Sequence, residues 1–419
     1  MIEYIDRVTS GEGLSRTTAR EAGRALFNDA TDTQLGAMIA GLRAKGETVD
    51  EVVGIAEGLS DSARMVRPDV FPLVTLGNTG SGEHGTFDVL TSAALVAVAA
   101  DVQITRHLSG PVGSYAGRRP RLGVLIDEDP RAVSRAIEEV GIGLAPMSAF
   151  HTGMEAYDRL CAEVGLRTIF DILGPLINPT RADAQLVGVA APELVEVVAH
   201  SLKMTGADRA LVVHGDGLDQ VAVHGPTVVA EVNGGDVHQY SLRPSDIGLE
   251  HHDAHDIATT ADGWNMNAVR SVVTGREGEA KQEAVLANAG AIVYLAGAAD
   301  TLCSGVEQAR TTIESGRLTG SLNSSHERRI SQRHRRDPAS EEPGHVFISH
   351  EPGGMIGDNS SAQGRDTSAQ AVSGSGLQGR LRPPSVPVGD RGECTPQIAD
   401  GPARTSRTAQ DEKPSWRPS

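Results

Sequence analysis

The sequence is poor in cysteine and in aromatic residues, with three cysteines in 419 residues and an aromatic content of 3%. Cys161, Cys303 and Cys394 are too few and too widely spaced for a disulfide framework or a thiolate metal site. No stretch approaches the roughly 20 uncharged apolar residues that cross a bilayer, and no basic start leads into an apolar run at the amino terminus. We therefore expect a cytoplasmic protein that is neither secreted nor inserted into a membrane.

An excess of positive charge is also absent, because the formal net charge is -17. Sequence-independent binding of nucleic acid needs clustered lysine and arginine, so a nucleic-acid partner is not expected. Residues 321–419 hold thirteen basic and twelve acidic residues, which places the acidic excess in the front part of the chain. The length allows two or more domains of about 100 to 200 residues each.

The last hundred residues differ in composition from the rest. Residues 321–419 contain only Phe347 and Trp416 as aromatics, and their Ser-Gly and Arg-Pro-Pro stretches lack helical or strand periodicity. Such a segment cannot bury enough apolar surface to offset the entropy of ordering it. We predict a disordered tail over 321–419, whose arginine cluster at 328–336 is a solvated charge run rather than an anion-binding segment.

The front of the chain has the signals of short amphipathic helices. Thr48 and Glu51 have the spacing of a capping box, and Gly46 stands where a preceding helix would end. Apolar residues follow helical spacing on either side of this point: Leu35, Met38, Ile39, Leu42, Val52, Ile55, Ala56 and Leu59. We predict a small helical domain over residues 1–65.

A different pattern begins near residue 71, where short apolar runs alternate with longer helical stretches. This alternation is typical of a largely parallel sheet covered by helices on both faces, and we assign it to residues 66–320. Residues 167–179 are too apolar for a solvated loop and too rich in glycine and proline for one long helix, so we predict a packed turn there. The predicted strands are 73–76, 102–105, 122–126, 186–189, 210–214 and 228–232.

Residues 77–86 contain four glycines between a predicted strand and a predicted helix. Backbone N–H groups of such a loop, together with the helix N-terminus, can bind a phosphate. A flexible strand-to-helix turn explains the glycines equally well. The spacing matches neither the nucleotide P-loop nor the dinucleotide fingerprint.

Polar residues follow two other predicted strands. Arg106 and His107 come after 102–105, and Asp216 and Asp219 come after 210–214. Because the carboxyl ends of parallel strands meet in one crevice, an arginine there can hold phosphate and the carboxylates can hold Mg²⁺. Two simpler explanations stay open: a surface Arg-His pair, and aspartates selected by turn chemistry.

Taken together, these segments resemble the anthranilate phosphoribosyltransferase family, within the nucleoside-phosphorylase-like transferases of glycosyltransferase family 3. The resemblance covers residues 1 to about 320. It implies a small helical N-terminal domain, joined by helices from about 150–180, and a larger α/β domain with a mostly parallel central sheet flanked by helices. The segments with the closest resemblance are residues 42–48, 167–179, 211–219, 225–231 and 288–297.

The resemblance implies transfer of a 5-phosphoribosyl group from phosphoribosyl pyrophosphate to anthranilate or a related aromatic acceptor, in tryptophan or specialised biosynthesis. It also implies Mg²⁺ on the pyrophosphate and a homodimer. No residue receives a covalent catalytic role, because the reaction needs positioning and charge neutralisation. The implied donor-binding residues are Thr79, Gly80, Ser81, Gly82, Asp88, Thr91, Arg106, Ser114 and Gly117. The implied acceptor-binding residues are His107, His151 and Arg167, and the implied metal ligands are Asp219 and Thr91.

Several positions depart from the family pattern. Gln220 replaces the second carboxylate of the metal pair, Leu90 replaces a metal-touching serine, and Cys161 replaces the arginine expected to meet the acceptor carboxylate. Arg106 replaces a lysine, and the phosphate loop lacks its aspartate. These differences keep two further functions open: a catalytically weak homologue that acts as a binding or regulatory protein, and a nucleoside-phosphorylase-like enzyme.

Overall fold

The computed structural model describes residues 1–78, 87–108, 127–151, 153–154, 163, 168–258 and 266–317. The tail predicted over 321–419 and the strand predicted at 122–126 lie outside the described residues. Among the described residues, none of the helices has both the length and the hydropathy of a bilayer-spanning segment.

Four helices form the first part of the chain. Helix α3 ends at Gly46, whose φ of 88° is in the left-handed region, and Thr48 and Glu51 form the predicted capping box at the start of α4. The helical prediction for this part is therefore confirmed. The helices are α1 (Ile2–Thr9), α2 (Arg16–Asn28), α3 (Asp32–Lys45) and α4 (Val49–Ser60).

The following part of the chain forms a seven-stranded sheet in the order β3-β2-β1-β4-β5-β6-β7. Strands β1 to β5 pair in parallel, whereas β6 and β7 are antiparallel. The mostly parallel sheet predicted from the alternating pattern is thus confirmed. The strands are β1 (Leu73–Asn78), β2 (Gln103–Leu108), β3 (Ile142–Pro146), β4 (Ala184–Gly188), β5 (Arg209–Gly215), β6 (Thr227–Asn233) and β7 (Asp236–Leu242).

Helices cover both faces of the sheet. Leu211 and Val213 of β5 share one core with α5 and α12, while Ala210 and Val212 share a second core with α8, α9 and the helices α1 to α4. The helices are α5 (Val89–Ala99), α6 (Pro130–Val140), α7 (Met147–Phe150), α8 (Ile169–Leu176), α9 (Leu194–Met204), α10 (Ala254–Ile257), α11 (Met266–Val273), α12 (Glu279–Leu295) and α13 (Leu302–Glu314), with a 3-10 helix at Pro244–Ile247.

The packed turn predicted within 167–179 is wrong, because this segment contains helix α8. Thr168 and Asp171 form a capping box that starts the helix, with Thr168 N donating to Asp171 Oδ2 at 2.6 Å. Pro175 is tolerated because it lies in the last turn, so the lost hydrogen bond does not interrupt a longer helix. Helix α8 shares its core with α1 to α4. The domain boundaries at 65 and 320 stay predictions.

Cys303 lies in helix α13. Cys161 and Cys394 lie outside the described residues.

Candidate functional site

Strand β1 lies where the order of the sheet reverses. Strands β2 and β3 follow on one side of it, and β4 and β5 lie on the other. Ligands of open α/β sheets bind outside the carboxyl ends of the strands at such a point. Asn78 ends β1, Arg106 lies near the end of β2, and Asp219 follows β5. The structure therefore brings two predicted site residues to the expected edge of the sheet.

Asp88, Thr91 and Arg106 form one hydrogen-bonded cluster at this edge. Asp88 caps helix α5 by accepting from Thr91 N at 3.0 Å, and Thr91 Oγ1 donates to Asp88 Oδ2 at 2.8 Å. Arg106 Nη1 donates to Asp88 Oδ1 at 3.0 Å and contacts Thr91 Oγ1. Three residues predicted to bind the donor therefore bind one another across the end of β2 and the start of α5.

The charge of Asp88 is set by two opposing effects. Burial alone would raise the pKa of its carboxyl group, but the charge of Arg106 and the hydrogen bonds from Thr91 outweigh burial and hold the pKa below its ordinary value. Asp88 is therefore an ionised carboxylate. Asp88 and Arg106 form an ion pair. An incoming phosphate therefore has to compete with the Asp88 carboxylate for the guanidinium group.

Asp219 lies close to this cluster. Asn78 Nδ2 donates to Asp219 Oδ2 at 3.0 Å, linking the end of β1 to the loop after β5. Burial raises the pKa of Asp219, and the Asn78 hydrogen bond and the charge of Arg106 oppose that shift only in part. The charge of Asp88 has the opposite effect to that of Arg106 and adds to the rise in the pKa of Asp219.

Gln220, which follows Asp219, is 4% exposed, and its Nε2 atom makes no hydrogen bond to any described residue.

Asn78 was not identified as a site residue from the sequence. The signal that marks it is its place at the last position of a strand that runs into the glycine-rich segment.

His107 and His151 form a second, apolar part of the site. Their ring centroids are 5.4 Å apart, and the residues are 7% and 2% exposed. Burial lowers the pKa of His107 to about 3, with a further contribution from the charge of His151, and burial lowers the pKa of His151 to about 4. Hydrogen bonds to backbone groups, those of Gly174 for His107 and of Ile177 and Leu59 for His151, oppose these shifts only in part. Both imidazoles are therefore neutral near neutral pH.

The two parts of the site lie on opposite faces of β2. Successive side chains of a strand point to opposite faces. Arg106 faces helix α5 through Asp88 and Thr91, whereas His107 lines a small cavity with Gly174 and Pro175 of helix α8. The predicted donor residues and the predicted acceptor residues thus approach the same strand end from its two sides.

The remaining predicted site residues lie outside the described residues. They are Thr79, Gly80, Ser81, Gly82, Ser114, Gly117 and Arg167.

Comparison with known proteins agrees with this architecture. Residues 2–63 match the model of a glycosyl transferase family, helical bundle domain, and residues 72–318 match that of a glycosyl transferase family, a/b domain. The chain is 46% identical over 325 residues to an anthranilate phosphoribosyltransferase of Haloarcula marismortui, with 77% of this chain and 98% of that protein covered.

Solved structures give the same result. The crystal structure of an anthranilate phosphoribosyltransferase of Thermus thermophilus matches with a TM-score of 0.69 and 33% identity, covering 77% of this chain and 98% of that one. The enzyme of Saccharomyces cerevisiae in complex with phosphoribosyl pyrophosphate and Mg has the same fold, with a TM-score of 0.68, 21% identity, and coverage of 79% and 98%. The chain therefore belongs to the anthranilate phosphoribosyltransferase family and is a phosphoribosyl-transferring glycosyltransferase.

Proposed function

We propose that this protein transfers the 5-phosphoribosyl group of phosphoribosyl pyrophosphate to the amino group of anthranilate. Relatives with this name are 42% to 46% identical to the chain. The observation that carries the proposal is the pair of contacts at the carboxyl ends of the strands, where Asn78 binds Asp219 and Arg106 binds Asp88. The charges of Arg106 and Asp88 also act on Asp219, and the neutral histidine pair begins at the residue after Arg106.

The reaction needs little covalent chemistry from the protein. Positive charge develops on the ribose ring as the bond to pyrophosphate breaks, and negative charge develops on the departing pyrophosphate. A protein accelerates such a displacement by positioning both substrates and by neutralising the developing charges. Arg106 is the described cation at the site, and its bond to Asp88 fixes the direction of its guanidinium group.

The residues present fit a magnesium ion. Asp219, Asp88 and Thr91 offer carboxylate and hydroxyl oxygens, which are the donor types that Mg²⁺ prefers. Asp219 is the residue that would hold the ion, because the side-chain oxygens of Asp88 and Thr91 are bonded to each other and to Arg106. Bound Mg²⁺ would mask negative charge on the pyrophosphate. Thr91 stays a predicted second ligand.

The histidine pair supports an aromatic amine as acceptor. Since the pKa values of His107 and His151 are about 3 and about 4, neither ring is a cation near neutral pH. Neutral imidazoles hydrogen-bond and pack against an aromatic amine without protonating it, so the amine keeps its nucleophilic electron pair. Arg167 stays a predicted acceptor-binding residue, as the family resemblance implies. A homodimer and a cytoplasmic location also stay part of the proposal.

One observation favours a second candidate function, a catalytically weak binding protein. Gln220 replaces a carboxylate at the proposed metal position, which leaves Asp219 as the charged residue of that pair. An amide contributes no charge to a metal site, so the affinity for Mg²⁺ would be lower than that of a site with two carboxylates.

A screen with labelled phosphoribosyl pyrophosphate separates these functions. The donor is incubated with Mg²⁺ and either anthranilate, its ring-substituted analogues, other aromatic amines, or no acceptor. We expect Mg²⁺-dependent release of pyrophosphate with anthranilate. Donor binding without turnover of any amine would favour the binding protein, and phosphorolysis of nucleosides in a parallel reaction would favour a nucleoside phosphorylase.

A further inference from the structure

The loop that carries Asp219 is held by residues to which the proposed reaction gives no role. After strand β5, the chain turns through Asp216 and Gly217, which have φ values of 46° and 88° in the left-handed region. This turn brings the chain back toward the end of β4. Asp219 follows two residues after Gly217.

His214 fixes the beginning of this loop. Its Nδ1 atom lies 2.9 Å from the carbonyl oxygen of Val189, and Gly217 N donates to its Nε2 atom at 3.2 Å. Because Nε2 accepts a hydrogen bond, the ring hydrogen belongs on Nδ1, where it is donated to Val189. One buried imidazole therefore ties the left-handed turn to the residue that follows β4.

Asn288 of helix α12 fixes the other end of the loop. Its Oδ1 atom accepts from Val221 N at 3.0 Å, and its Nδ2 atom donates to the Val221 carbonyl oxygen at 3.0 Å and to that of Ala284 at 2.9 Å. Asn288 is 0% exposed. A carboxamide can donate and accept at once, so it satisfies both backbone groups of Val221, and neither alanine nor aspartate reproduces this pair of bonds.

The two fixed points enclose Asp219 symmetrically, since Gly217 lies two residues before it and Val221 two residues after it. Between them, the Asp219 backbone rests directly on strand β4. A Cβ atom on Gly188 would lie 1.7 Å from the Asp219 carbonyl oxygen. The loop is therefore held in position by contacts with strand β4, His214 and Asn288.

We propose that His214 and Asn288 are positioning residues that hold the Asp219 carboxylate in place for the magnesium pyrophosphate of the donor. This inference rests on the proposed function, in which Asp219 binds the metal. A loop that is already ordered loses less conformational entropy on binding than one that orders around its ligand. Loss of either residue should therefore weaken donor binding and leave acceptor recognition unchanged.

The test is calorimetric binding of phosphoribosyl pyrophosphate to the full chain at several Mg²⁺ concentrations, without acceptor. We expect His214→Asn and Asn288→Ala each to weaken Mg²⁺-dependent donor binding by about 10- to 100-fold, as residues that orient metal ligands do. His214→Gln should restore much of the affinity, because its terminal amide can reach the place of Nε2 and accept from Gly217 N. The melting temperature of each variant is measured alongside.

Gln282→Ala is the matched control. Gln282 is also a carboxamide on helix α12, and its Nε2 atom donates to the Val273 carbonyl oxygen at 2.7 Å. Its removal should lower stability and leave donor affinity unchanged. A purely structural role of Asn288 would give the same result for Asn288→Ala, which would overturn the inference. Because His214→Asn tests the opposite end of the loop, the inference stays testable if Asn288→Ala fails to fold.

Double variants with Asp219→Asn locate the effect. We expect Asp219→Asn to weaken Mg²⁺-dependent binding, and Asn288→Ala or His214→Asn to add little in that background, because residues that act through one group are not additive. Full additivity would overturn the positioning role alone. An unchanged Mg²⁺ dependence in Asp219→Asn would instead overturn the metal role in the proposed function, and the inference with it.

Discussion

Asn78 donates a hydrogen bond to the Asp219 carboxylate over 3.0 Å, although the two residues are 141 positions apart in the sequence. The bond connects the end of the first strand to the loop after the fifth strand. It spans the point where the order of the sheet reverses, which is where open α/β sheets bind their ligands. The side chain of Asn78 thereby orients the carboxylate to which we assign the metal ion.

Asn78→Ala should weaken metal-dependent donor binding. The substitution removes a hydrogen bond to a charged group, which contributes roughly 1.5 to 3 kcal/mol. It also removes an interaction that opposes the raised pKa of Asp219, so the carboxyl group should ionise less readily. A magnesium titration of donor binding checks this, with Asn28→Ala on the exposed end of helix α2 as control. An identical titration curve for Asn78→Ala and the wild-type protein would contradict the role of Asn78.

Arg106→Ala should lower donor affinity by roughly 1.5 to 3 kcal/mol, the range for a charge-assisted hydrogen bond. Asp88→Asn should instead raise donor affinity, because it removes the negative charge that competes with phosphate for Arg106. An asparagine can still cap helix α5, so the helix should keep its start. Equilibrium binding of phosphoribosyl pyrophosphate measures both effects. Unchanged affinity in Arg106→Ala would remove Arg106 from the donor site.

The buried histidine pair should make the protein less stable in mild acid. The pKa values of His107 and His151 are about 3 and about 4 in the folded protein, below the ordinary value of 6.5, because burial disfavours the charged form. Below pH 6.5 the unfolded chain therefore binds more protons than the folded chain, and stability falls as the pH falls. Each imidazole should contribute up to about 1.4 kcal/mol per pH unit in this window.

Denaturant unfolding at pH 7, 6 and 5 tests this expectation. His107→Gln and His151→Gln should each flatten the pH dependence relative to the wild-type protein. His200→Gln is the control, since His200 is a surface residue beside Glu196 with a side chain 44% exposed. Equal slopes in all four proteins would show that the buried pair does not control the acid sensitivity.

Gly188→Ala should displace the Asp219 loop. The added Cβ atom would lie 1.7 Å from the Asp219 carbonyl oxygen, so the backbone of the loop or the strand has to move. Overpacking of this kind costs about 1 to 3 kcal/mol, and we expect donor binding to fall together with the melting temperature. Gly13→Ala is the control, because the nearest atom to its Cβ would be 4.0 Å away. Wild-type donor affinity in Gly188→Ala would show that the loop adapts.

Local features of the fold were predictable from the sequence, and long-range contacts were not. The capping box of Thr48 and Glu51 and the apolar strand runs involve neighbouring residues, so their spacing is sufficient. Arg106 was predictable because it directly follows the apolar run of β2, and Asp219 because it lies in the short loop after the apolar run of β5. The contact between Asn78 and Asp219 depends on the register of three strands, which no local pattern specifies.

Three elements were missed for specific physical reasons. Strand β3 is short and contains both a glycine and a proline, and strand β7 is an edge strand with mostly exposed, polar residues. Helix α8 was obscured by Pro175 and Gly174, although Thr168 and Asp171 provide the capping-box signal for it. The roles of the site residues came from the family resemblance, because residue types alone left a surface pair and a turn as alternatives.

Because Arg106 and His107 are adjacent, strand β2 presents a cation on one face and an imidazole on the other. Side chains alternate along a strand, so inserting or deleting one residue earlier in β2 would move Arg106 and His107 each to the opposite face. One such change would disrupt both the donor part and the acceptor part of the site. Changes in length within β2 should therefore be tolerated far less well than substitutions along its buried positions.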